Sequence, residues 1–232
     1  MDALATGALN FLYPTDCPIC KMKHPRMLAT WPICRLCWST MFAYDGPRCS
    51  VCGMPFASMH STTCGDCLSD PPEFAAARSY GIYDKGLRDA IHLLKFAGVR
   101  RLARPLGSLI ATMQPPAAHV VVPVPMTARA LRSRGYNQSA LLARQVAIKC
   151  GIGLRLDLLH KIKETPQQVG LSRSARMRNL RGAFKADTSV SGLDVVLVDD
   201  VITTTATARE CSKALMKAGA RSVFVAALAR TF

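Results

Sequence analysis

The sequence predicts an α/β fold, a mainly parallel sheet with flanking helices, preceded by a small cysteine-rich module. Three observations predict it. Eight of the ten cysteines fall before residue 68 as four Cys-x-x-Cys pairs. From about Ala75, short valine-rich runs alternate with amphipathic helical patterns, as in chains that wind a parallel sheet. Half of the residues are hydrophobic and only 19% charged, enough to bury a sizeable core and to exclude a disordered chain.

The cysteine pairs come first, at Cys17/Cys20, Cys34/Cys37, Cys49/Cys52 and Cys64/Cys67, with gaps of 13, 11 and 11 residues. A two-residue spacer turns both thiolates of a pair toward one metal, and a second pair completes the tetrahedron, so eight thiolates fit two Zn²⁺ ions. Sequential and interleaved pairing share this signature; sequential pairing needs the shorter loops and is favoured. Four thiolates leave no open coordination position, which points to structure rather than catalysis. His24 and His60 read as solvated loop residues rather than ligands. With few aliphatic residues here, metal must supply much of the folding free energy, on the order of 10 kcal/mol per site. Asp70, Pro71 and Pro72 then close the module, which divides the chain into a ribbon module, 1–72, and a larger domain, 73–232.

In that domain, residues 77–83 read as a strand. Leu87, Ile91 and Leu94 fall at helical spacing, and a second helix is expected over 102–113. The valine run at 119–125, broken by Pro123 and Pro125, reads as a buried parallel strand ending in a loop. A helix over 137–150, a strand near 154–160, a polar stretch, a strand over 193–198, a helix over 204–217 and a last strand over 222–228 follow. No stretch approaches the roughly 18 apolar residues of a membrane-spanning helix, so no membrane insertion is expected. The N-terminus carries Asp2 where an export signal has a basic cluster, so the cytoplasm is the expected location.

Charge is lopsided. Residues 1–72 balance five Lys/Arg against five Asp/Glu, whereas residues 73–232 carry 25 against 10. Such an excess favours polyanionic partners, nucleic acid and phosphorylated metabolites alike. The chemistry concentrates at 195–207, where four apolar strand residues deliver Asp199 and Asp200 to a strand's carboxyl end, the place where open α/β sheets bind ligands. Thr203, Thr204, Thr205 and Thr207 then open a helix, so backbone amides, hydroxyls and the positive dipole end converge. Acids for a diol beside a cradle for a phosphate are what a ribose 5-phosphate needs.

At these residues the chain resembles the type I phosphoribosyltransferase family, whose signature is an apolar strand, two acids and a Thr/Gly-rich loop. Over nearly its whole length it resembles the ComF family, competence-associated phosphoribosyltransferase-like proteins with an N-terminal double zinc ribbon. The resembling pieces are residues 17–67, 87–98, 122–139 and 165–173, with Arg176, Arg178 and Arg181. The resemblance implies a site for phosphoribosyl diphosphate, with Asp199 and Asp200 toward the ribose hydroxyls. Thr203, Thr204, Thr205, Ala206 and Thr207 would surround the 5-phosphate. The loop with Val124 and Pro125 would hold the pyrophosphate, with a cis peptide near Val124 or Met126 and charge from Arg129, Arg132 and Arg134. Mg²⁺ would bridge pyrophosphate and ribose oxygens with few protein contacts.

The reaction implied is displacement of pyrophosphate at the anomeric carbon, in which positioned cations stabilise the leaving group. Residues 161–181, with Gln167 and Gln168 among six Lys/Arg, read as a flap over the ligand or, equally, as a nucleic-acid-binding segment. Thr205 stands where the family usually has glycine. A β-branched residue resists positive φ, which implies weakened phosphate affinity. Lys95 and His92 could reach the site from the first helix pair, but a helix-surface lysine and a satisfied histidine are the favoured readings. Two functions follow: a phosphoribosyl diphosphate-binding protein serving DNA uptake or use of DNA-derived nucleotides, or a single-stranded DNA-handling factor of the DNA-uptake machinery whose pocket senses ligand without turnover. The sequence leaves the acceptor and turnover open.

Overall fold

The computed structural model describes residues 16–22, 33–57, 61–165 and 173–231. Its main sheet contains β1 (Ala76–Ile82), β2 (Val120–Pro123), β3 (Gly153–Leu154), β6 (Asp194–Ile202) and β7 (Ser222–Arg230). The strands run parallel in the order β1-β7-β6-β2-β3. Valine and alanine fill β2, β6 and β7, which are buried on both faces, as strands covered by crossover helices must be. One face carries α3 (Lys85–Phe96), α4 (Ala103–Thr112) and α6 (Gln138–Cys150). The other carries α8 (Ala206–Lys217) and a two-stranded antiparallel sheet of β4 (Leu159–Lys161) and β5 (Phe184–Ala186).

Three differences from expectation have local causes. The strand expected near 154–160 is two strands in two sheets, because the chain turns at residues 155–157. There the Arg155 guanidinium donates twice to the Asp157 carboxylate, at 2.8 and 2.7 Å. Strand β6 runs on past Val198 to Ile202 because β7 keeps pairing with it as far as Arg230. Every peptide bond among the described residues is trans, so the cis peptide expected near Val124 or Met126 is absent. That loop stays extended, with the Val124 amide donating to the Val198 carbonyl at 2.9 Å. The turn is made by α5 (Ala128–Arg134), a helix capped by Thr127 that the sequence pattern did not reveal.

The cysteine-rich segment straddles edge strand β1. Cys49, Cys52 and Cys67 pack with Ala77, Val223 and Val225 on one face of the sheet, while Cys17, Cys34 and Cys37 pack with Leu87, Ile91 and Leu94 on the other. Its backbone covers the free edge: the Ala77 amide donates to the Val51 carbonyl and the Tyr44 amide to the Tyr80 carbonyl, each at 2.7 Å. Two glycines permit this approach. A Cβ on Gly53 would stand 2.5 Å from the Ala77 oxygen, and one on Gly81 2.5 Å from the Phe42 oxygen. Covering an edge strand removes the unpaired amides that would otherwise recruit another chain.

Candidate functional site

The sheet order contains a switch point. The chain leaves β2 toward β3 in one direction and β6 toward β7 in the other, and the following helices α6 and α8 lie on opposite faces. Ligands of open α/β sheets bind in the crevice outside such a point. Pairing between β2 and β6 stops at Pro123 and Val198, so the crevice opens where β6 continues into Asp199 and Asp200.

Adjacent strand residues point to opposite faces, so the two acids have different neighbours. Asp200 is buried and takes Lys95 from α3, whose Nζ lies 3.0 Å from one carboxylate oxygen and 3.2 Å from the other. Asp199 accepts the Ser139 hydroxyl at 3.0 Å and the Asp200 amide at 2.9 Å. Burial, then the charge of Asp200, pushes the Asp199 carboxyl up to about 7. Burial alone would lower the pKa of Lys95, but the charges of Asp200 and Asp199 outweigh it and raise it. The Tyr136 hydroxyl donates to the Leu94 carbonyl, which holds α3, and with it Lys95, against the start of α6.

Beyond the acids, residues 203–205 bend into α8. Thr205 adopts φ 62°, left-handed despite its branched Cβ, and its side chain makes no capping bond to α8. The start of that helix, with its amides and the positive end of its dipole, faces the crevice, where an anion is favoured. The branched residue therefore takes the left-handed conformation that glycine would take at no cost.

Across the crevice, Val124 is buried and Pro125 half-buried. The Asn137 side chain donates to the Val124 carbonyl at 3.0 Å and fixes the loop. Of the expected arginines, Arg129 and Arg132 are exposed on α5, whereas Arg134 donates to Gln138 at 2.6 Å and stacks over Phe96. Of the expected flap, residues 166–172, including Gln167 and Gln168, lie outside the described residues. The segment ends in α7 (Arg173–Leu180), where Arg178 and Arg181 line a cleft of about 270 Å³ against Arg209 and Lys213 of α8.

Several contributors escaped the sequence reading. Lys95 is four residues after Ile91 and eight after Leu87, which places it on the buried stripe of α3 and was a legible signal. Ser139 and Asn137 sit at the start of α6 without a pattern of their own. His92 is exposed and meets only Phe96 among the described aromatic rings.

The cysteines form two sequential groups, Cys17/Cys20/Cys34/Cys37 and Cys49/Cys52/Cys64/Cys67, whose sulfurs in each case lie within 4.8 Å of one another. The separations Cys20–Cys34, 3.8 Å, and Cys52–Cys64, 3.6 Å, match the edge of a tetrahedron with Zn–S bonds of about 2.3 Å. Backbone amides of Cys34 and Cys64 donate to the sulfurs of Cys17 and Cys49 at 3.4 and 3.3 Å. Burial opposes ionisation of Cys49, but the amides of Cys52, Cys64 and Val51 bring its pKa down to about 6. His24 and His60 lie outside the described residues.

Comparison with known proteins agrees with the cysteine geometry. Residues 8–68 match the double zinc ribbon domain family, and the two four-cysteine groups are its zinc sites. The chain is similar to DNA utilization protein YhgH of Salmonella typhi, 34% identical over 226 residues, 94% of this chain and 98% of that protein. It is likewise similar to competence protein F of Haemophilus influenzae, 33% identical over 79% of this chain and 85% of that protein. Among solved structures, a glutamine phosphoribosylpyrophosphate amidotransferase from B. subtilis shares 27% identity over 53% of this chain and 25% of its own, with a TM-score of 0.38. No helix among the described residues is long and apolar enough to cross a membrane.

Proposed function

The chain belongs to the family of DNA utilization protein YhgH and competence protein F, and from that premise and the strand-end crevice we propose that it binds phosphoribosyl diphosphate with Mg²⁺ in the service of DNA uptake or use of DNA-derived nucleotides. The observation that carries this reading is the acid pair at the switch point beside the start of α8. Asp199 and Asp200 accept the ribose hydroxyls, with Lys95 balancing their charge. Residues 203–207 take the 5-phosphate on their amides and hydroxyls, and the loop of Val124 and Pro125, with Arg129, Arg132 and Arg134 nearby, takes the pyrophosphate. The hard oxygens of such a ligand, with Asp199 and Asp200 beside them, would suit Mg²⁺, which would supply positive charge to the bound diphosphate. In this reading the ribbon, 1–72, is a structural module on a transferase-like domain, 73–232.

A ligand that binds only the folded protein at a hundredfold its Kd adds about 2.7 kcal/mol of stability. The parent should therefore melt higher with phosphoribosyl diphosphate and Mg²⁺ than without, and Asp199→Asn should not; no shift in the parent would sink the reading.

One further feature favours the nucleic-acid reading. A groove of about 370 Å³ along the start of α4 and the side of α6 is lined by Arg100, Arg101, Arg104 and Arg144, with Leu141 and Ile148. No acid lies between Asp89 and Asp157 in the sequence. Binding of single-stranded DNA there would weaken with a log–log salt slope of about −0.7 per phosphate and would be indifferent to Asp199→Asn.

A further inference from the structure

Thr205 holds a backbone conformation that branched residues avoid, and something must maintain it. Its hydroxyl donates to the Thr204 carbonyl at 2.6 Å and accepts Arg209 Nε at 3.2 Å, while the Arg209 amide donates to the Thr205 carbonyl at 2.8 Å. The Arg209 guanidinium is buried, and its other two nitrogens point away from the loop. One donates to the Asp70 carboxylate at 2.9 Å and the other to the Asp70 carbonyl at 2.6 Å. Asp70 caps α2 (Gly65–Ser69), the short helix that carries the buried zinc ligand Cys67. All three guanidinium nitrogens thus bridge the ribbon's exit and the loop, a span that the single ammonium of lysine cannot reproduce.

We propose that Arg209 is a positioning residue that locks the loop over residues 203–207 to the end of the ribbon module, so that the ribbon's integrity sets the loop's capacity for phosphate. A glycine at position 205 would adopt the same φ unaided and would offer no hydroxyl to grip. With threonine there, the loop's shape is conditional on the strap. This rests on the reading of residues 203–207 as a phosphate loop, and the test separates the two.

The experiment measures hydrogen exchange of the 203–209 amides and calorimetric affinity for phosphoribosyl diphosphate with Mg²⁺ on the full-length, zinc-loaded chain. The variants are Arg209→Lys and Asp70→Ala, each alone and with Thr205→Gly. Asp70 is 64% exposed, so its truncation leaves the core intact. With Thr205 present, each substitution should speed exchange and weaken binding about tenfold, equivalent to about 1.4 kcal/mol. With Thr205→Gly, the same substitutions should change either quantity less than twofold. Equal losses in both backgrounds, or none in either, would overturn the strap. If exchange follows the strap while the parent binds no phosphoribosyl diphosphate, the strap stands and the phosphate reading falls.

Discussion

Two of the clusters of anionic side chains that pack against the sheet each face one cation. In the second zinc group, Cys49, Cys52, Cys64 and Cys67 face Arg230 at the end of β7, which is 1% exposed and donates to Cys52 Sγ at 3.7 Å. At the ends of the strands, Asp199 and Asp200 face Lys95. The difference lies in closure. Four thiolates fill the coordination sphere of one Zn²⁺, leaving a complex with two negative charges that a neighbouring arginine offsets. The acid pair lies at an open crevice, where burial and then the charge of Asp200 raise the Asp199 pKa against the pull of Lys95. The same device, anions gathered against their repulsion, is structural where a metal fills the coordination sphere and receptive where the site stays open.

Losing the ribbon's metal should have the largest effect. A site worth on the order of 10 kcal/mol rivals the whole stability of a domain. Cys49→Ser with Cys52→Ser should abolish the cooperative thermal transition, and a parent-like melt would break the comparison. Next, Arg230→Met should lower stability by about 3–5 kcal/mol in denaturant titrations, because it strips the counter-charge from a buried anion. The Arg230 Nε and Nη1 atoms are buried with no hydrogen-bond partner, so beyond the one bond to Cys52 its contribution is carried by charge.

The raised pKa of Asp199 should appear as a pH dependence. Since the folded-state pKa of Asp199 is raised from 3.8 to about 7, its contribution to stability is complete below about pH 4 and is lost as pH rises through 7. Asp199→Asn should therefore be more stable than the parent at pH 8, by about 2–4 kcal/mol, with the gap closing toward pH 4. A gap independent of pH would show that the acid is already neutralised. The smallest effect is expected from Thr205→Gly, which relieves a left-handed branched residue but forfeits the hydroxyl's bonds, and should move stability by no more than about 1 kcal/mol.

The two clusters also differ in how much of them the sequence discloses. The thiols announce themselves, because Cys-x-x-Cys spacing is local and metal geometry constrains it. The acids were legible too, at the end of a valine-rich strand before a threonine-rich helix start. Their partners were not. Lys95, Arg209 and Arg230 come from elements distant in sequence, and a basic residue on an amphipathic helix reads as solvent-facing unless its place on the apolar stripe is counted. Strands β1, β2, β6 and β7 followed from hydrophobic runs. Helix α5 was hidden by the arginines of residues 128–134, and the split at residues 155–157 by an ion pair that only the turn creates.

The most direct test is calorimetric titration of the purified protein with phosphoribosyl diphosphate and Mg²⁺, beside a variant carrying both Asp199→Asn and Asp200→Asn. Saturable binding by the parent that the variant loses is the expected result. Heat that is absent from both, or equal in both, would contradict the assignment of the strand-end pocket to this ligand.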